Sequence, residues 1–212
     1  MIGGHSSGLV LILALIQGFL SMGFQLVASR LLAPHFGTTI IVWAFLISSF
    51  LMAFSAGSFA GGAISQLEAR RQQAAVIALS AAGVGSFAIV AFAGRSILRI
   101  VERSFEDTWV GIGVACAILF LVPVATLSAL LPIYAELLGR GDRGVGISSG
   151  LIYGTSTLGN ITGVMVTAFA LIPNFPTFEL LIGWFAVSVA CFAAALAVTS
   201  GARGSRQQLR LR

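Results

Sequence analysis

Lysine is absent from this sequence, and acids, histidine and cysteine are nearly so: 212 residues hold seven Asp or Glu, two His and two Cys. Only 9% of the residues are charged, against roughly 25% in soluble domains. A folded chain this poor in charge could not present a wetted surface on every side. The mean hydropathy of +1.01 agrees, so the expected solvent is lipid.

The other scarcities exclude chemistry. No Ser/His/Asp set, paired carboxylates or metal-ligand spacing can be assembled from two histidines and seven scattered acids. The chain is therefore not expected to be an enzyme on its own, and no cofactor or metal is expected. Cys116 and Cys191 both fall inside apolar runs and read as small buried hydrophobes.

What is present is long apolar sequence. A helical span needs about 20 mainly apolar residues, and six segments supply them: 8–29, 39–64, 73–94, 108–138, 145–172 and 178–199. The expected fold is all-α, a polytopic bundle of about six transmembrane helices over residues 1–200, with a basic tail at 201–212. The first span lacks a basic flank and is too long for a cleavable signal, whose apolar core runs to about 7–15 residues. In the fourth, Pro123 and Pro132 predict a bend or an early end. Residues 95–107 carry Ile97, Ile100, Val101 and Phe105 at helical spacing, which predicts an amphipathic surface helix. In GRGDRG, Asp142 reads as part of a solvated loop, and Glu136 and Arg140 are spaced to pair.

All twelve basic residues are Arg. They sit between the apolar runs and in the tail, where charges fix topology, so lipid headgroups rather than nucleic acid are the expected partners. With six spans both termini share a side, which collects Arg70, Arg71, Arg140, Arg143, Arg203, Arg206, Arg210 and Arg212. The other side collects Arg30, Arg95, Arg99 and Arg103. The excess places the termini in the cytoplasm, and so the chain in a bacterial inner membrane.

Small residues mark where helices approach closely, since lipid gives apolar helices no drive to associate. The second span carries Gly57 and Gly61, and the fifth carries Gly150, Gly154, Gly159 and Gly163. Both spans are expected at the bundle centre. Tyr153, Thr157 and Asn160 on the fifth span, with Gln17, Ser21 and Gln25 on the first, read either as interhelical hydrogen-bonding groups or as the lining of a cavity. The segment 30–37, RLLAPHFG, reads as a structured, re-entrant or interfacial turn. Arg30 would snorkel to the headgroups, Pro34 would break the helix, Gly37 would supply a turn, and His35 is the titratable group. Each three-span half has a Gly/Ser-rich middle helix with a Pro-containing approach. Two inverted three-helix repeats would give that pattern, and composition bias accounts for it equally well.

Two runs are more specific: GFQLVASRLLAPHFGTT from Gly23, followed by Val42–Trp43 and by GSFAGG at 57–62, and GLIYGTSTLGNITGVMVTAFALI from Gly150. Together they resemble the membrane region of the membrane-bound spermidine synthase-like proteins, the fused major-facilitator/spermidine synthase family, over nearly the whole chain. The late-helix motif falls on Tyr153, Ser156, Thr157, Gly159, Asn160 and Gly163. Gln25 departs from the acidic residue often found there. The 212 residues hold no Gly-rich strand-to-helix turn for a nucleoside cofactor and no carboxylate cluster for a polyamine. The resemblance thus implies a non-catalytic membrane subunit that anchors a soluble aminopropyltransferase-like partner or a larger membrane complex. The alternative it leaves is a transporter or half-transporter of a polyamine or a neutral or lipid-like solute, closed by a second copy. Against a cation route stands the lack of Asp or Glu inside spans one, two, three and five. Candidate contact residues on either reading are Gln25, Arg30, Pro34, His35, Tyr153, Thr157 and Asn160.

Overall fold

The computed structural model describes residues 4–139 and 144–210. They form α1 (Gly4–Phe36), α2 (Ile40–Ser65), α3 (Ala69–Ser104), α4 (Thr108–Gly139) and α5 (Val145–Val166). A π-helical turn (Thr167–Leu171), a short α6 (Ile172–Asn174) and a long α7 (Thr177–Arg210) complete the chain. No strand occurs among the described residues. Six helices are long and apolar enough to cross a membrane, as the apolar runs predict.

The helices overrun the predicted spans, and each overrun has a local cause. α1 passes through Pro34, because a proline so near the C-terminus forfeits only the bond to the Arg30 carbonyl. It ends at Phe36, where Gly37 takes φ +75° and its N–H closes on the Ala33 carbonyl at 3.0 Å. Residues 30–36 are thus the last turns of a helix, followed by Gly37, and not a re-entrant turn. Thr39 caps α2, its hydroxyl accepting from the Val42 N–H at 3.4 Å. α4 continues through Pro123 and Pro132 to Gly139, so it does not end early. Of the expected surface helix at 95–107, residues 95–104 are instead the end of α3, and 105–107 link it to α4. The buried stripe Val76, Ser80, Gly83, Phe87, Val90 runs on without a break through Gly94, Leu98 and Val101. At 36 residues α3 is about 54 Å long, well beyond the ~30 Å hydrocarbon thickness.

The centre of the bundle belongs to α1 and α4, which are the most deeply buried spans. This corrects the expectation that the glycine-rich helices, α2 and α5, would lie there. α2 buries one narrow stripe, Val42, Leu46, Ser49, Phe50, Ala53, Gly57, Gly61 and Ser65, and α5 is the least buried span. A line of small residues records one close neighbour, not enclosure on all sides.

The pairing is reciprocal. α2 of the first half packs on α4, and α5 of the second half packs on α1. A Cβ at Gly57 or Gly61 would overlap the carbonyls of Ala125 or Ala129; a Cβ at Gly159 or Gly163 would overlap those of Leu15 or Phe19. Residue numbers rise together along both contacts, so each pair is parallel. The third helices, α3 and α7, pack on each other, on α4 and on α1 respectively. Each half thus holds the other's middle helix.

Aromatic side chains fill the space between the first four helices. Phe24, Phe50, Phe87 and Phe120, one from each of α1 to α4, are fully buried. Their rings meet Phe24 at centroid distances of 5.9, 5.1 and 5.7 Å, the last edge to face. Such pairs each contribute about 0.5–1.5 kcal/mol beyond contact area.

Candidate functional site

Two ends and a middle carry the polar chemistry. At the end holding the termini, α2, α4 and α5 splay into a cleft of about 330 Å³ lined by Ser65, Gln66, Pro132, Glu136, Ser149 and Tyr153, among others. Pro132 and Gly139 belong to its α4 wall, and Gly144, φ +61°, turns the chain into α5. Glu136 is half-buried and accepts from Gln72 Nε2 at 3.4 Å. Gln66 Nε2 donates to the Ser65 hydroxyl, which in turn donates to the Gly62 carbonyl at 2.7 Å. The expected Glu136–Arg140 pair and the Asp142 loop fall on residues 140–143, outside the described residues.

In the middle, Gln17 Nε2 donates to the Tyr134 hydroxyl at 3.2 Å. Both side chains are fully buried, and the Cys191 thiol lies beside them. The contact ties α1, α4 and α7 together. Gln17 Oε1 has no hydrogen-bond partner among the described residues, nor do the buried oxygens of Ser80, Asn160 and Thr167. Such bonds within a bilayer contribute about 0.6 kcal/mol on average.

At the opposite end Arg30 does more than snorkel. Its Nη1 donates to the Ile172 carbonyl at 2.6 Å and the Phe175 carbonyl at 2.9 Å, covering acceptors left by the π turn and α6. His35 Nδ1 meets Glu102 Oε2 at 2.6 Å, joining the ends of α1 and α3. Pro34 is exposed, one residue before this pair.

No protein-family model, curated protein or solved structure matches the chain.

The predicted contact residues do not converge. Arg30 and His35 bind opposite neighbours at one end, and Tyr153 faces the cleft at the other. Gln25 is half-buried along α1. Thr157 is exposed, and its hydroxyl returns to the Tyr153 carbonyl of its own helix at 2.8 Å. Thr162 does the same toward Leu158, so this face of α5 makes no interhelical bond through its threonines. Asn160 is half-buried against α1, where its backbone N–H lies over Gly18. Of the predicted packing glycines, Gly57, Gly61, Gly159 and Gly163 are in contact. Gly150 and Gly154 face outward, with nothing within 4 Å of a Cβ built on either.

Sequence reading missed Gln72, Tyr134 and Gly18. Gly18 repeats the close approach, against the Ser156 carbonyl. Its signal was present: Gly18 stands with Gly23 on the buried face of a span that also carries Gln17 and Ser21.

Proposed function

We propose that this chain is a non-catalytic membrane subunit that scaffolds a partner, and is not itself a route for solute. The observation that carries the reading is the filled interior. Phe24, Phe50, Phe87 and Phe120 occupy the space among α1 to α4, where a route between two halves would run. The Gln17–Tyr134 contact joins the central helices elsewhere in the bundle.

The outer surface supports the same reading. α5 is the least enclosed span and turns Gly146, Gly150 and Gly154 outward, with Tyr153 and Thr157 beside them. A glycine face lets a second helix approach closely enough for dispersion to hold it. On the resemblance of RLLAPHFG and the Tyr153–Gly163 motif to spermidine synthase-like membrane regions, the partner is a soluble aminopropyltransferase-like protein or a membrane complex that includes one. The arginine distribution supports a cytoplasmic position, at an inner membrane, for the termini and the Glu136–Tyr153 cleft.

Purification of the tagged full chain in mild detergent, with quantitative mass spectrometry, tests this. One companion at fixed stoichiometry, with aminopropyltransferase activity in the same fraction, supports it. A chain that stays alone across several detergents counts against it. Uptake of putrescine or spermidine by proteoliposomes of the isolated chain would favour the transporter.

A further inference from the structure

Beyond any protein partner, a groove on the outer wall has the form of a lipid site. It lies between α1, the π turn and α7, in the half of the bundle away from the termini, with a volume of about 270 Å³. Its walls include Leu20, Leu171, Phe175, Leu180 and Trp184, with Gly183 between them. The walls are apolar for a structural reason. Trp184 Nε1, the one polar atom of that side chain, already donates to the Leu20 carbonyl at 2.9 Å, leaving the ring as hydrocarbon surface. Gly183 has nothing within 4 Å of a built Cβ, so the missing side chain is what leaves that space open.

The rim is charged on a specific plan. Glu179, in the first turn of α7, lines the groove, is exposed and makes no ion pair among the described residues. Arg30 reaches the same rim, because its Nη1 sits on the carbonyl of Phe175, a wall residue. A carboxylate and a guanidinium at the mouth of an apolar groove complement the ammonium and phosphate of a zwitterionic headgroup whose acyl chain fills the groove. A primary ammonium can donate hydrogen bonds to a carboxylate, whereas a quaternary one cannot; a net-negative headgroup would meet Glu179 with like charge.

We propose that this groove retains one acyl chain of a membrane phospholipid with a primary-ammonium headgroup, Glu179 receiving the ammonium and Arg30 the phosphate.

Native mass spectrometry of the detergent-solubilised full chain tests it, using phosphatidylethanolamine, phosphatidylcholine and phosphatidylglycerol of identical acyl composition. One phosphatidylethanolamine should bind, roughly tenfold more tightly than the other two, the scale of one charge-assisted hydrogen bond. Gly183→Leu, which meets open space and should keep its thermal midpoint, should lose retention of all three lipids. Glu179→Gln should retain lipid while the preference collapses. Equal binding of the three lipids by the native chain, preference for phosphatidylglycerol, undiminished retention by a folded Gly183→Leu chain, or unchanged preference in Glu179→Gln would each overturn the proposal.

Discussion

Gly61 of α2 and Ala129 of α4 meet backbone to backbone, so that a single methyl group on Gly61 would overlap the Ala129 carbonyl. The neighbouring Gly62 has nothing within 4 Å of its own Cβ position. One residue of helical rotation separates a contact from open space.

Gly61→Ala should therefore destabilise the protein by about 1–3 kcal/mol, the usual scale of overpacking. Gly62→Ala should leave it within about 0.5 kcal/mol or slightly stabilise the helix. Unfolding in mixed detergent micelles reads both. Equal effects would contradict the α2–α4 register.

The same contrast divides α5. Gly159→Ala collides with the Leu15 carbonyl and should cost about 1–3 kcal/mol. Gly154→Leu projects outward and should leave the isolated chain's thermal midpoint unchanged. On the scaffold reading it should lower recovery of the companion protein, which quantitative co-purification measures.

Tyr134→Phe removes the hydroxyl that Gln17 Nε2 uses and leaves a fully buried amide further unsatisfied. The expected loss is about 0.6–1.7 kcal/mol. Adding Gln17→Leu should recover part of it, because an apolar pair leaves no donor behind. A double-mutant cycle in detergent shows whether the two residues are coupled.

Arg30→Ala uncovers the carbonyls of Ile172 and Phe175. A hydrogen bond to a charged group contributes about 1.5–3 kcal/mol, so amides from 172 to 180 should exchange roughly tenfold faster. Amides of α2 should exchange as before. Hydrogen exchange by mass spectrometry separates the two regions.

The number and places of the spans were legible because an apolar run of about 20 residues has few other uses. Their ends were not. Charge marked Arg95 as a boundary, yet Leu98 and Val101 prolong the buried stripe of α3 for two further turns. Pro34 and Pro132 read as breaks, but each costs one backbone bond in a helix held by its neighbours. The glycines of α2 and α5 announced close packing without saying with whom. Because each helix has one tight neighbour, half of the α5 series faces outward. The π turn at Thr167–Leu171 had no signal in residue type, and the partner of Arg30 lies 142 and 145 residues away. Least legible was the placement of the candidate contact residues, since Arg30 and His35 lie at one end of the bundle and Tyr153 at the other.

Two native cysteines test the filled interior directly. Cys116 is fully buried beside Ser49, and Cys191 is buried beside Gln17. Membrane vesicles can be treated with a small, water-soluble, charged methanethiosulfonate, with Ser149→Cys in the terminal-end cleft as the reactive control. A packed scaffold predicts that Ser149→Cys labels while Cys116 and Cys191 stay unmodified over hours. Rapid labelling of either native cysteine from the aqueous phase would reveal a water-filled route through the bundle and contradict the account.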